Sequence, residues 1–88
     1  MINNKQRCRR IRAAILEELA NTPREYMQPQ QALVASVRLS IVPPPTEAEL
    51  DEAFARLEAD AMIHCDISAL GVKRWCITGI GRAALAEC

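Results

Sequence analysis

The stretch TEAELDEAFARLEADAMIHCDI, residues 46–67, changes its hydrophobic period once, at Met62. Before that point Leu50, Ala53, Phe54, Leu57 and Ala61 recur at spacings of three and four, the stripe of an amphipathic helix. Thr46 follows three prolines and precedes Glu49 by three residues, the pattern of a capping box at a helix start. Beyond Met62, Ile63, Cys65 and Ile67 alternate with His64, Asp66 and Ser68, a period of two that predicts a half-buried strand. Gly71 turns the chain. Residues 74–78 return as a second strand with Trp75 and Ile77 on the apolar face. With both of those residues and Ile63, Cys65 and Ile67 on one face, the expected register sets Cys65 opposite Ile77 and Asp66 opposite Cys76.

Working outward, the spacing of Ile11, Ile15 and Leu19, with Leu16 beside them, predicts a first helix over 4–20 that Pro23 cannot continue. Tyr26-Met27 is an apolar island suited to a very short strand against the hairpin edge. Pro29 suits the first turn of a second helix over 29–38 carrying Ala32, Leu33, Val34 and Val37. The tail of that helix reads two ways, because Val37, Leu39 and Ile41 also alternate with Arg38 and Ser40. Pro43-Pro44-Pro45 forces an extended connection within 42–45 before the third helix at 46–60. RAALAEC, after Gly79-Ile80-Gly81, can close the chain as a short helix. The expectation is one α+β domain over 1–88, mainly α with a small β-hairpin. Its layout is a winged helix-turn-helix: three helices and a two- or three-stranded wing at 62–78.

Phe54, Trp75 and Tyr26 are the chain's only aromatic residues, so the core must be built mainly from aliphatic side chains. No apolar run is long enough to cross a bilayer, and the basic start of the chain lacks the apolar segment of a signal peptide. A cytoplasmic protein with no membrane partner is expected. None of the four cysteines has a C-x-x-C neighbour, and Cys65 and Cys76 fall on opposite faces of the hairpin, so free thiols are expected.

The zero formal charge conceals two opposed patches. Residues 1–12 hold five cations and no acid, whereas residues 46–60 hold six acids against Arg56.

RLEADAMI (56–63) followed by ITGIGRAALAE (77–87) resembles the closing half of bacterial winged-helix regulators, notably the multiple-antibiotic-resistance repressor family. In that family an Arg-Leu-Glu phrase ends the recognition helix and a Leu-Thr-x-x-Gly-Arg phrase follows the wing. The resemblance implies a winged-helix fold and a regulatory, DNA-binding role. Two departures stand out. Ala61 replaces the usual glycine at the helix–strand junction, and the loop ALGVK is shorter and less basic than a DNA-contacting wing.

A winged-helix DNA binder lays its third helix in the major groove. Here that surface offers Glu47, Glu49, Asp51 and Glu52, which repel phosphate, and no Arg, Lys, Asn or Gln stands there to read base edges. The cations lie elsewhere, at Lys5, Arg7, Arg9, Arg10 and Arg12, with Arg38, Lys73 and Arg74 more dispersed. Two functions follow. One is a regulatory or accessory nucleic-acid-binding protein that uses the basic N-terminus and the wing. The other is a protein-interaction module in which the acidic helix and the basic arm meet complementary surfaces on a partner or on a second copy. His64, Asp66, Cys76 and Thr78 share the outer face of the hairpin, but an open two-stranded surface provides neither a second shell for a metal nor a cleft for a nucleophile. No enzymatic activity, metal or cofactor is expected.

Overall fold

The change of period at Met62 is a change of structure. A computed structural model describes residues 4–23 and 26–87. Its elements run α1 (Asn4–Ala20), β1 (Gln28–Pro29), α2 (Gln30–Ser40), α3 (Glu47–Ala59), β2 (Ile63–Ile67), β3 (Lys73–Ile77) and α4 (Gly79–Ala86). The described residues thus form an α+β arrangement of four helices and a three-stranded antiparallel sheet, ordered β1-β3-β2.

The capping box forms as the sequence implies. The Thr46 hydroxyl accepts from the Glu49 backbone N–H, and the Glu49 carboxylate accepts from the Thr46 N–H. At its other end α3 closes in a Schellman motif. The Met62 N–H donates to the Leu57 carbonyl and the Ala61 N–H to the Glu58 carbonyl. Ala61 therefore does not belong to the apolar stripe. It is exposed and holds a left-handed φ of 59°, the conformation that glycine adopts without cost.

The core lies where α1 crosses the other elements. Ile11, Ile15, Leu16 and Leu19 of α1 meet Leu33 and Val37 of α2, then Ile41, and Leu50, Ala53, Phe54 and Leu57 of α3. Ile63 and Trp75 close it from the sheet. Trp75 stacks on Phe54 with ring centroids 5.1 Å apart and 22° between planes, while its indole N–H donates to Gln30 Oε1 at 3.0 Å. The ambiguous tail of α2 stays helical to Ser40, which leaves Leu39 outside and returns Ile41 to the core.

Four expectations are corrected. The hairpin register is displaced by two residues: Cys65 faces Trp75, Ile63 faces Ile77, and Asp66 faces Arg74. A shift of two preserves the faces, so Cys65 and Cys76 remain on opposite sides and both are free, as is Cys8. Cys88 lies outside the described residues. Ile67, expected on the apolar face, is 61% exposed. The first short strand is Gln28–Pro29 instead of Tyr26-Met27, paired with Trp75 and Arg74, and Pro29 caps α2 without entering it.

The turn after β3 is also built from backbone needs. Thr78 caps α4 by accepting from the Gly81 N–H, and its hydroxyl donates to the Ala61 carbonyl at 2.6 Å. Gly81 packs over the Met62 carbonyl so closely that an added Cβ would lie 2.2 Å from that oxygen. The phrase Ile77-Thr78-Gly79-Ile80-Gly81 is therefore a clasp holding α4 to the α3–β2 junction.

Candidate binding surfaces

The cations of α1 divide by helical position. Lys5, Arg9 and Arg12 stand at i, i+4 and i+7, one stripe along the helix. Together with Cys8, and with Glu52 and Arg56 of α3, they line a shallow cleft of about 310 Å³. Arg56 was not among the residues the sequence singled out. Its signal was the four-residue step from Glu52, which puts both side chains on the α3 face toward α1. Arg56 also pairs with Asp60 at 3.1 Å, an exposed i,i+4 contact. Arg10 is exposed off the stripe.

Arg7 has a different task. Its Nε donates to Glu49 Oε2 at 2.6 Å and its Nη2 to Glu49 Oε1 at 3.2 Å, a two-pronged ion pair between α1 and the first turn of α3. The same Nη2 reaches the Pro43 carbonyl at 2.9 Å. The Arg7 hydrogen bonds, then the Thr46 backbone N–H, hold the Glu49 carboxyl down to about 2. The guanidinium is correspondingly pushed up, first by its hydrogen bond to Glu49. One residue proposed for nucleic acid and one proposed for protein contact thus satisfy each other within the chain.

The remaining acids of α3 face two adjoining grooves. The first, about 430 Å³ between α2 and α3, has Val34, Leu50 and Phe54 in its walls, with Glu47, Asp51 and Arg38 among the charged residues lining it. The second, about 340 Å³ between α3 and β3, is lined by Asp51, Glu58 and Lys73 beside Phe54 and Trp75. Arg38 and Lys73 therefore lie among carboxylates, away from the α1 stripe. Arg74 pairs with Asp66 directly across the hairpin at 3.0 Å. The loop between β2 and β3 carries no cation: Ala69, Leu70 and Gly71 form its tip, Leu70 is almost fully exposed, and Gly71 takes a φ of 80°.

His64 faces Cys76 across the outer side of the hairpin. Among the described residues no group of three or more His, Cys, Asp or Glu side chains converges as a metal site would require. No described helix is long and apolar enough to cross a membrane. The chain matches no protein-family model and no curated protein.

Proposed function

We propose that this chain is a small winged-helix accessory protein that holds nucleic acid by its phosphates, through the α1 stripe instead of the third helix. The layout supports the winged-helix reading: α1, the short β1, α2, α3 and the β2–β3 hairpin follow one another in an order compatible with that fold. The observation that carries the function is the cleft lined by Lys5, Arg9, Arg12 and Arg56, with Glu52 the one acidic residue in its lining. Such a surface attracts a polyanion without reading its sequence. The exposed side of α3 carries Glu47, Asp51, Glu52 and Glu58 and opposes insertion into the major groove.

The contribution expected of the wing narrows with the structure. Arg74 is held by Asp66, Lys73 lies beside Asp51 and Glu58, and the loop tip is apolar. Binding by α1 alone gives modest affinity and a steep dependence on salt. Three to four neutralised phosphates correspond to a slope of about −3 in log K against log salt.

The test is fluorescence anisotropy with a random-sequence duplex over a salt series. Double substitution Arg9→Gln/Arg12→Gln is expected to remove most of the binding and to flatten the slope by about two. Wild-type protein that leaves the duplex free at low ionic strength, where attraction is least screened, overturns the reading.

A second reading rests on the two acidic grooves. Their apolar walls and the carboxylates of Glu47, Asp51 and Glu58 fit a cationic segment of a protein partner. Loss of a partner on neutralising these acids, with no duplex binding by the wild type, would favour it over the first.

A further inference from the structure

The strand order β1-β3-β2 leaves β2 with a partner on one side. The phase of its hydrogen bonds fixes what it presents on the other. The Thr78 N–H donates to the Met62 carbonyl and the Ser68 N–H to the Val72 carbonyl, so residues 62 and 68 turn their backbone groups toward β3. Antiparallel ladders alternate, and all five residues of β2 pair in unbroken register. His64 and Asp66 therefore also bond inward, while Ile63, Cys65 and Ile67 direct their N–H and C=O groups at the open edge.

Edge strands of stable monomers are blunted by lysine, proline, a bulge or a covering segment. Residues 63–67 contain no lysine or proline, the ladder has no bulge, and the strand's one acid, Asp66, is paired with Arg74 across the hairpin. At the far end Ile67 is 61% exposed and Leu70 91%, so apolar surface continues from the edge to the loop tip.

We propose that β2 pairs antiparallel with β2 of a second copy about a two-fold axis at Cys65, joining the two sheets into one of six strands. The sequence of the strand selects this occupant. IHCDI read against itself sets Ile63 opposite Ile67 of the second copy and His64 opposite its Asp66, with Cys65 at the centre. Its outward backbone groups, on residues 63, 65 and 67, then meet the same odd-numbered set in the second copy, which is the phase an antiparallel ladder needs. Ile67, exposed in the single copy, gains the edge beside the buried Ile63 of the second, and each imidazole lies across from a carboxylate that also holds Arg74 of its own chain. The contact is isologous and closes at two copies. It would also place two α1 stripes in one particle.

The experiment combines sedimentation over a protein concentration series with amide hydrogen exchange at its two ends. Expected is a concentration-dependent dimer in which the amides of Ile63, Cys65 and Ile67 slow at least tenfold at high concentration. The amides of His64 and Asp66, already bonded to β3, stay slow throughout. Ile67→Lys should return the protein to monomer, and Leu39→Lys, at an exposed site on α2, should not. A monomer at every concentration overturns the proposal. So does a dimer that persists in Ile67→Lys, or one whose Cys65 amide stays fast. If Ile67→Lys does not fold, as judged by Trp75 fluorescence, the wild-type exchange pattern alone decides.

Discussion

Arg7 and Glu49 meet in a two-pronged ion pair that closes α1 onto the first turn of α3. Glu49 serves two ends at once, because the oxygen that receives Nη2 also accepts from the Thr46 N–H. A salt bridge, a capping box and the proline connection are therefore one unit, with Arg7 also bound to the Pro43 carbonyl. The two opposed charge patches of the sequence are not separate tools. At this point they are stapled together.

The pair makes stability depend on acid. Glu49 is held at about 2 against an ordinary 4.5, a depressed carboxylate. Its contribution is complete above pH 4.5 and is lost as pH falls through that value toward 2. Glu49→Gln keeps the capping geometry and removes the charge. The gap in thermal midpoint between wild type and this variant is expected to be widest near neutrality and to close between about pH 4.5 and pH 2, followed by circular dichroism.

The α3–β2 junction allows two substitutions of opposite sign. Ala61 sits at a φ of 59°, so Ala61→Gly relieves left-handed strain, offset in part by the freer unfolded chain. A net gain of a few tenths to about 1 kcal/mol in urea unfolding is expected. Gly81→Ala drives a methyl into the Met62 carbonyl and the Ile77 side chain, and should cost about 2 kcal/mol or more. Equal effects at the two sites would contradict this account of the clasp.

Phe54 and Trp75 supply a fluorescence reporter of the core, since Trp75 is the chain's one tryptophan. Phe54→Ala removes the stacked ring at the heart of α3 and is expected to cost about 3–5 kcal/mol. The loss should appear in denaturant unfolding together with a red-shifted Trp75 emission. A variant as stable as wild type would mean that the stack carries no packing energy.

Much of this was readable from local signals. Thr46 and Glu49 announced the start of α3, and the period change at Met62 placed the strand. The register was not readable, because a shift of two residues keeps every side chain on its face; the choice rests on the three-residue loop at Ala69–Gly71. Ala61 misled for another reason. Its spacing fits the apolar stripe, but the Schellman hydrogen bonds end the helix before it. The Arg7–Glu49 pair joins residues 42 positions apart, and no local pattern in the sequence encodes such a contact. What composition showed as two charge patches, only tertiary packing could divide into a staple, a basic cleft and acidic grooves.

That division decides how the acidic face must be tested. Neutralising Glu49 along with its neighbours would break the staple and confuse stability with binding. Glu47, Asp51 and Glu52 are exposed, while Leu50, Ala53, Phe54 and Leu57 are the buried residues of the helix. The triple variant Glu47→Gln/Asp51→Asn/Glu52→Gln should therefore fold with a thermal midpoint near that of wild type. Glu52 is the carboxylate that lines the α1 cleft, so its neutralisation removes one negative charge from beside Arg9, Arg12 and Arg56. Duplex affinity is expected to rise severalfold at low salt, and the gain should shrink as salt rises, because screening weakens the repulsion that was removed. Unchanged affinity would mean that bound DNA does not occupy the cleft that Glu52 lines, and would count against that site. Lost affinity would place the acids themselves in the contact and overturn binding through α1.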